Sequence, residues 1–142
     1  MEGDKMVAAK VAMGEPTFIP DEIPVNTAEI GDLEIIKDFP LTDIGPHVEH
    51  HPLFPNRVNF EIVNVITRSQ IRARIFERGA GETMSSGTGS TAAASAARAH
   101  GLVNNAVDVI VDGGILKISW DETGQAYLEG PAVEVFTGVW PD

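Results

Sequence analysis

The chain passes from strand to helix in one stretch, Glu77-Arg78-Gly79-Ala80-Gly81-Glu82-Thr83-Met84-Ser85-Ser86-Gly87-Thr88-Gly89-Ser90. Its four glycines fall within eleven positions, which is typical of backbone that turns tightly or lets another group approach where a Cβ would block it. The hydroxyl residues near its end stand where a helix would begin, so their side chains can cap that helix. The first amides of such a helix have no intrahelical partner and attract anions. The stretch therefore predicts a binding point for a small carboxylate.

The sequence on both sides of this stretch predicts strands around one helix. Residues 57–67 and 70–77 alternate apolar and polar side chains, as strands do, and Arg68-Ser69 between them predicts a hairpin turn. Residues 90–100 are rich in alanine and are followed by Gly101, which predicts a helix with a glycine cap. Because this helix is thin and almost uncharged, we expect it near the centre of the domain, with strands on several sides.

Shorter elements are predicted towards both ends of the chain. They are a strand at 6–13, an extended loop broken by Pro16, Pro20 and Pro24, a short helix between Pro40 and Gly45, and a meander of four strands at 107–111, 115–120, 126–129 and 132–139. The repeating strand–helix pattern of a parallel sheet is missing. The predicted fold class is therefore α+β, with one domain over residues 1–142 in which mixed or antiparallel strands curl around a central alanine-rich helix.

The composition narrows the classes of function. A chain of 142 residues, 43% of them hydrophobic, is long enough for one core of ordinary size. A formal net charge of −11, with the arginines spread between acidic residues, argues against a nucleic-acid partner. No stretch approaches the roughly 20 apolar residues of a membrane span and the start lacks a signal pattern, so we expect no membrane partner and a cytoplasmic location. The absence of cysteine removes disulfides, thiolate metal sites and cysteine nucleophiles.

Three common glycine-loop and serine motifs do not fit this chain. A Walker loop needs a lysine, which the glycine-rich stretch lacks. A dinucleotide fingerprint needs a third glycine where Met84 stands. A hydrolase serine is flanked by glycines two residues away on each side, and neither Ser85 nor Ser86 is. Nucleotide binding and serine hydrolysis are therefore not expected.

The densest group of candidate metal ligands consists of His47, Glu49, His50 and His51. Its spacing, on a loop bounded by prolines, does not match the helical histidine pair of a zincin, and no second cluster accompanies it. We therefore expect surface or hinge histidines that pack beside Phe54, and no metal site.

Glu77 and Arg78 stand at the end of the second hairpin strand, at the mouth of the glycine-rich stretch. The planar guanidinium of Arg78 suits a carboxylate, and Glu77 can hold an ammonium group. Two interpretations stay open on this evidence: a site for an amino acid or other carboxylate, and a structural turn that only starts a buried helix.

Four sets of residues resemble motifs of the diaminopimelate epimerases. They are Glu77-Arg78-Gly79-Ala80-Gly81-Glu82-Thr83 with Gly87-Thr88-Gly89; Gly45-Pro46-x-x-Glu49-His50-His51-Pro52-Leu53-Phe54-Pro55 with Asn59; Gly113-Gly114-x-Leu116-x-Ile118-x-Trp120; and Gly130-Pro131-Ala132-x-x-Val135-Phe136-x-Gly138. They occur in the family's order and cover nearly all of the chain after residue 38. Proline racemases and hydroxyproline epimerases share the architecture.

The resemblance implies an isomerase that needs no pyridoxal phosphate or other cofactor. Enzymes of this family have two similar α/β halves, each supplying one cysteine to a cleft between them, and this chain resembles the second, C-terminal half. One thiolate removes the α-proton and the opposed thiol protonates the other face, which converts LL- to meso-diaminopimelate in lysine biosynthesis. The implied partners are a small amino-acid or carboxylate ligand and the missing N-terminal half.

The resemblance also assigns roles to residues of this sequence. Asn59, Glu77 and Arg78 would contact the distal or amino groups of the substrate. The amides of Gly87 and Thr88 would bind its α-carboxylate. Ser86 stands at the position of the family's second cysteine.

Two departures from the family pattern change the expected activity. A serine hydroxyl is far less acidic than a thiol, so Ser86 cannot replace a thiolate base. The family's Asn-Pro-His motif is missing, and the nearest run is Met13-Gly14-Glu15-Pro16-Thr17. We therefore expect an epimerase domain that is inactive alone. The alternative is a non-catalytic domain that binds a carboxylate or self-associates as a homodimer, covering the surface that its missing half would cover.

Overall fold

The computed structural model describes residues 8–14 and 36–139, and in this part of the chain seven strands form one mixed sheet accompanied by two α-helices. The strands are β1 (Ala8–Gly14), β2 (Phe60–Thr67), β3 (Gln70–Glu77), β4 (Gly81–Thr83), β5 (Ala106–Val111), β6 (Gly114–Trp120) and β7 (Ala126–Pro131). The helices are α1 (Leu41–Glu49) and α2 (Gly87–Ala99), and Ile36–Asp38 form a short 3₁₀ helix. These elements confirm the predicted α+β class.

The sheet has the order β1-β7-β6-β5-β3-β2. Its strands pair in antiparallel fashion except β3 and β5, which are parallel, with Gln70 opposite Asp108. The far end of β3 pairs instead with β4, where Glu77 lies opposite Gly81. One edge of β3 is thus shared between β5 and β4, and α2 crosses from β4 to β5. This topology places the first turn of α2 beside the end of β3.

The main core lies between the sheet and α2. Side chains of β3 at Ile71, Ala73 and Ile75 are at most 1% exposed, and they pack with Val107 and Val109 of β5. The alanines of α2 allow a close approach, and the helix contacts β2, β3, β5, β6 and β7, as expected of a central helix. The remaining side of α2 is exposed in this chain; it carries Thr88, Ala92, Ala96 and Ala99.

A second, smaller core lies on the opposite face of the sheet. It consists of Ile36, Leu41, Ile62 and Phe76, with Phe39 and Phe60 packed against it. Helix α1 reaches this face through Gly45, where a Cβ would lie 2.4 Å from the Phe76 ring. A side chain at this position would therefore push α1 away from the sheet.

Helix α1 is longer than the sequence predicts. A short helix was expected between Pro40 and Gly45, whereas α1 continues through Pro46 to Glu49. Proline removes one helical hydrogen bond, to the carbonyl of Thr42. The next turn is nevertheless closed, because the amide of His50 donates to the carbonyl of Pro46 at 3.1 Å. Packing on Phe76 supplies the stabilisation that local sequence rules do not include.

The strand predictions are confirmed in part. β2 and β3 are joined by Arg68-Ser69 as predicted, but β2 begins at Phe60 and not at 57, because Arg57 has a positive φ of 60° and cannot extend the strand. The strand predicted at 132–139 is wrong: this segment has no regular structure, and β1 already occupies the edge of β7. Residues 6 and 7 of the first predicted strand, and its proline-rich loop, lie outside the described residues.

Candidate functional site

A tight turn and two hydrogen bonds hold the glycine-rich stretch in place. Gly79 and Gly81 have φ of +78° and +81°, which glycine adopts without strain, and they form the turn between β3 and β4. The amide of Gly79 donates to Glu49 Oε1 at 3.0 Å. Further along, the carbonyl of Met84 accepts from the amide of Gly113 at 2.6 Å, which ties the stretch to the turn between β5 and β6. The predicted tight turns are therefore present.

Helix α2 begins with a serine cap. Ser86 is 6% exposed and has extended backbone, and its Oγ accepts from the amide of Gly89 at 3.2 Å. Its carbonyl accepts from the amide of Ser90 at 3.0 Å, the first bond of the helix. The amides of Gly87 and Thr88 come too early for an intrahelical acceptor, and no other described residue supplies one. The predicted hydroxyl cap is confirmed, and two amides are left at a helix start.

Glu77 is held by two hydroxyl groups at this helix start. Its Oε1 accepts from Thr83 Oγ1 at 2.7 Å, and its Oε2 accepts from Ser86 Oγ at 2.9 Å. Ser86 thus donates to a carboxylate while it accepts from Gly89. An alkoxide at Ser86 would lose this donated bond and lie next to a negative charge, so the arrangement favours the neutral hydroxyl.

Asn59 and Arg78 complete the group on the side of β2. Asn59 Oδ1 accepts from the amide of Arg78 at 2.9 Å, and Arg78 Nη1 donates to the carbonyl of Asn56 at 2.8 Å. Arg78 is exposed, and among the described residues this carbonyl is the acceptor for its guanidinium. The structure thus brings Asn59 and Arg78 to the end of β3 where Glu77 meets Ser86.

Glu61 is a member of this group that the sequence analysis treated only as the polar position of a strand. It lies opposite Ile75 in the hairpin, on the same side of the sheet as Glu77. A Cβ on Gly89 would stand 3.2 Å from Glu61 Oε1, so this carboxyl group lies against the first turn of α2. Burial, and then the charge of Glu77, raise the pKa of Glu61 from 4.5 to about 7, although a bond to its own amide opposes them.

Comparison with known protein families identifies the family of this chain. The family model for diaminopimelate epimerase matches residues 28–135, which is more than half of the chain. The chain belongs to the diaminopimelate epimerase family. The matched range includes β2 to β7, both helices and every residue of the candidate site.

The relatives that match are diaminopimelate epimerases from bacteria. One from Magnetococcus marinus is 49% identical over 115 residues, which is 81% of this chain and 40% of the relative. Those from Moorella thermoacetica and Acetivibrio thermocellus are 37% and 39% identical and match 99% and 97% of this chain, but only 61% and 59% of their own length. The chain therefore spans about half the length of the diaminopimelate epimerases that it matches.

Two residues of the cluster at positions 47–51, Glu49 and His51, make structural contacts. Glu49 is 4% exposed, and its Oε1 accepts from Arg57 Nη1 at 3.3 Å as well as from Gly79. His51 packs on Phe54 with ring centres 6.2 Å apart, as expected.

Across residues 8–14 and 36–139, no three acidic, histidine or cysteine side chains are grouped as metal ligands would be. The described helices are also too short or too polar to cross a membrane.

The opposite face of β3 carries a second polar group. Arg74 forms a bidentate pair with Glu82 at 2.6 and 3.0 Å, and its Nη1 also donates to the carbonyls of Ile36, Lys37 and Phe39. The hydrogen bond to Glu82 raises the pKa of Arg74 further above its usual value. Arg74 and Glu82 line an open cavity of about 460 Å³ together with Lys37, Arg72 and Asp112. Glu82, although part of the glycine-rich stretch, thus fixes β4 to the sheet.

Proposed function

We propose that this chain is the C-terminal half of a diaminopimelate epimerase-like isomerase and that it supplies one side of a substrate site. The observation that carries the proposal is the start of α2, where the amides of Gly87 and Thr88 have no acceptor among the described residues and lie beside the carboxylate of Glu77. Backbone amides at a helix start bind a carboxylate by hydrogen bonds and by the helix dipole. We place the enzyme in the cytoplasm and in lysine biosynthesis.

The charges of the site match an amino acid. The α-carboxylate would bind the amides of Gly87 and Thr88. Glu77 and the side-chain amide of Asn59 would face the ammonium or distal groups, and Arg78 would pair with a second carboxylate. Diaminopimelate carries two carboxylates and two ammonium groups, so it can satisfy these partners together.

The chemistry of Ser86 leads us to propose that the chain alone does not epimerise its ligand. Abstraction of an α-proton requires a base on one face of the carbon and an acid on the other. The chain contains no cysteine, and the hydroxyl group of Ser86 donates a hydrogen bond to the carboxylate of Glu77. The two thiols of the proposed cofactor-independent mechanism would therefore have to come from a Ser86→Cys substitution and from a second half.

A difference in length supports the proposal that the segment with the family's Asn-Pro-His motif is missing from this chain. The alignment with the Moorella thermoacetica relative runs over 169 residues, more than the 142 of this chain. That relative therefore has additional residues inside the matched region. The shorter alignment with the Magnetococcus marinus relative, over 115 residues, does not need such an insertion.

The test is exchange of the α-proton of diaminopimelate for deuterium, followed by NMR in D₂O. We expect the wild-type chain to show no exchange above the buffer rate. Ser86→Cys, mixed with the N-terminal half of the Magnetococcus marinus relative, should restore exchange. Ser85→Cys is the matched control, because Ser85 is the exposed neighbour and should restore none. Exchange by the wild-type chain alone, at a rate near that of a complete enzyme, would show that the proposed inactivity is wrong.

A second candidate function rests on exposed apolar side chains. Val133, Val135, Phe136 and Val139 are 78–96% exposed, and Met84 beside the site is 67% exposed. Such a surface favours association, and a homodimer could cover it when no N-terminal half is present. Light scattering at high concentration distinguishes the two cases: a monomer counts against the homodimer. A neighbouring reading frame that encodes an N-terminal half with the family's first cysteine would favour the proposed isomerase over the homodimer.

A further inference from the structure

Glu61 has no role in the function proposed above, yet it is the carboxyl group that lies against the first turn of α2. Its Oε1 lies 3.2 Å from where a Cβ of Gly89 would be, and the amide of Gly89 is the one that Ser86 caps. Gly89 therefore leaves the space in which this carboxyl group lies. Since Gly89 belongs to the same first turn of α2 as Gly87 and Thr88, Glu61 lies against the turn whose amides form the proposed carboxylate-binding point.

We propose that Glu61 is a specificity-determining residue of this site, which accepts a carboxylate ligand well only when the ligand also carries an ammonium group. This inference rests on the proposed function, because it concerns the ligand of the same site. A purely anionic ligand at the helix start would face two carboxylates, Glu61 and Glu77. A zwitterionic ligand brings its own positive charge to them.

The charges around Glu61 support this role. Glu77 faces it from β3, while the first turn of α2 presents Ser86, Gly89 and Ser90, which carry no formal charge. No cation among the described residues affects the titration of Glu61. The repulsion between Glu61 and an added carboxylate is therefore not cancelled by a neighbouring side chain. At an effective dielectric constant of about 20, a tenfold change in affinity, about 1.4 kcal/mol, is what two charges roughly 12 Å apart produce.

The same charge makes the discrimination dependent on pH. Because burial and Glu77 raise the pKa of Glu61 to about 7, Glu61 is mostly neutral at pH 5.5 and mostly ionised at pH 8. Discrimination against a ligand without an ammonium group should therefore be strong at pH 8 and weak at pH 5.5.

The experiment compares diaminopimelate with pimelate, which has the same carbon chain and both carboxylates but no amino groups. Each is titrated into the full ¹⁵N-labelled chain, and the amide signals of Gly87 and Thr88 report binding at the helix start. We expect the affinity ratio of diaminopimelate to pimelate at pH 8 to fall by on the order of tenfold in Glu61→Gln. When both proteins are measured at pH 5.5, the affinity ratio should be the same in the variant and in the wild type.

Glu122→Gln is the matched control. It also removes one carboxylate, but Glu122 is exposed in the turn after β6, at the opposite end of that strand from the turn that contacts Met84. It should leave the ratio unchanged. If diaminopimelate binds and Glu61→Gln changes the ratio less than twofold, the role of Glu61 is wrong while the proposed function stands. If diaminopimelate does not shift the Gly87 and Thr88 signals of the wild type, the proposed function itself is wrong, and the role of Glu61 with it.

Discussion

The two faces of strand β3 hold charged groups in opposite ways. On one face, Arg74 is fully engaged by Glu82 and by three backbone carbonyls. On the other face, Glu61 and Glu77 are two like charges, and only hydroxyl and amide groups of the described residues bond them. A charge that serves the fold has its counter-charge inside the chain. The two carboxylates that we propose to face a ligand form no ion pair with any of the described residues.

The largest change in stability should follow from removing the charge of Arg74, which is paired with Glu82. Arg74→Met leaves Glu82 partly buried without its partner and removes the donors to three carbonyls, so we expect a loss of about 3 kcal/mol in the free energy of unfolding. Urea denaturation measures it. Arg72→Met is the control on the same face, since its partner Asp112 is 48% exposed and the expected loss is below about 1 kcal/mol. Equal losses for both variants would contradict the structural role of Arg74.

Removing the unpaired charge of Glu61 should instead raise the free energy of unfolding. The folded-state pKa of Glu61 is raised, so the native protein holds a proton that the unfolded chain releases between pH 4.5 and 7, and stability falls across that range. Glu61→Gln removes this loss and should stabilise the protein by about 2 kcal/mol at pH 8. The gain should be smaller, below about 1 kcal/mol, at pH 5, because Glu61 is still neutral in the native protein and has only begun to favour the unfolded chain by ionising there.

Urea denaturation of the wild type and Glu61→Gln at both pH values is the measurement. Glu122→Gln corrects for the change in net charge, because it removes a carboxylate from an exposed turn. A gain of the same size at pH 5 and pH 8 would mean that ionisation of Glu61 is not its cause.

The smallest effect concerns the group that joins Glu77 to α2. Ser86→Ala removes the cap of Gly89 and one donor to Glu77, and should lower the free energy of unfolding by about 1 kcal/mol. Ser85→Ala is the matched control, since Ser85 is exposed and is not the cap. Thermal denaturation of both variants checks the difference. If Ser86→Ala were as stable as Ser85→Ala, the cap would contribute nothing.

Local sequence signals predicted the parts of the fold and of the site that depend on neighbouring residues. The two-residue turn at Arg68-Ser69, the serine cap of α2 and the tight turns at Gly79 and Gly81 each follow from a few adjacent side chains. The family motifs then indicated which of these residues belong to one site. Their roles towards a substrate stay predictions.

Glu61 could not be found in this way, because its position depends on a register shift. A regular hairpin closed by Arg68-Ser69 would place Glu61 opposite Phe76, on the face of the small core. The pairing shifts by one residue between Val65 and Thr67, so Glu61 lies opposite Ile75 instead. A shift of one residue moves every side chain beyond it to the other face. Strand periodicity alone does not reveal such a bulge.

The other errors have a tertiary origin. α1 continues past Pro46 because Gly45 lets it pack on Phe76. The segment 132–139 is not a strand, although its alternation favours one, because β1 pairs with the edge of β7. In both cases a partner distant in sequence determines the outcome.

The hydrogen bond from Gly113 to Met84 has a consequence for how tightly a ligand can bind. The glycine-rich stretch is attached to Glu49 at one end and to the turn between β5 and β6 at the other, with β4 between them. Flexible loops lose conformational entropy when a ligand orders them, and that loss weakens binding. In this chain the glycine-rich stretch has already lost that conformational entropy on folding, before any ligand binds. The amides of Gly87 and Thr88 are therefore pre-organised, and the ligand that we propose for them would not have to order this stretch first.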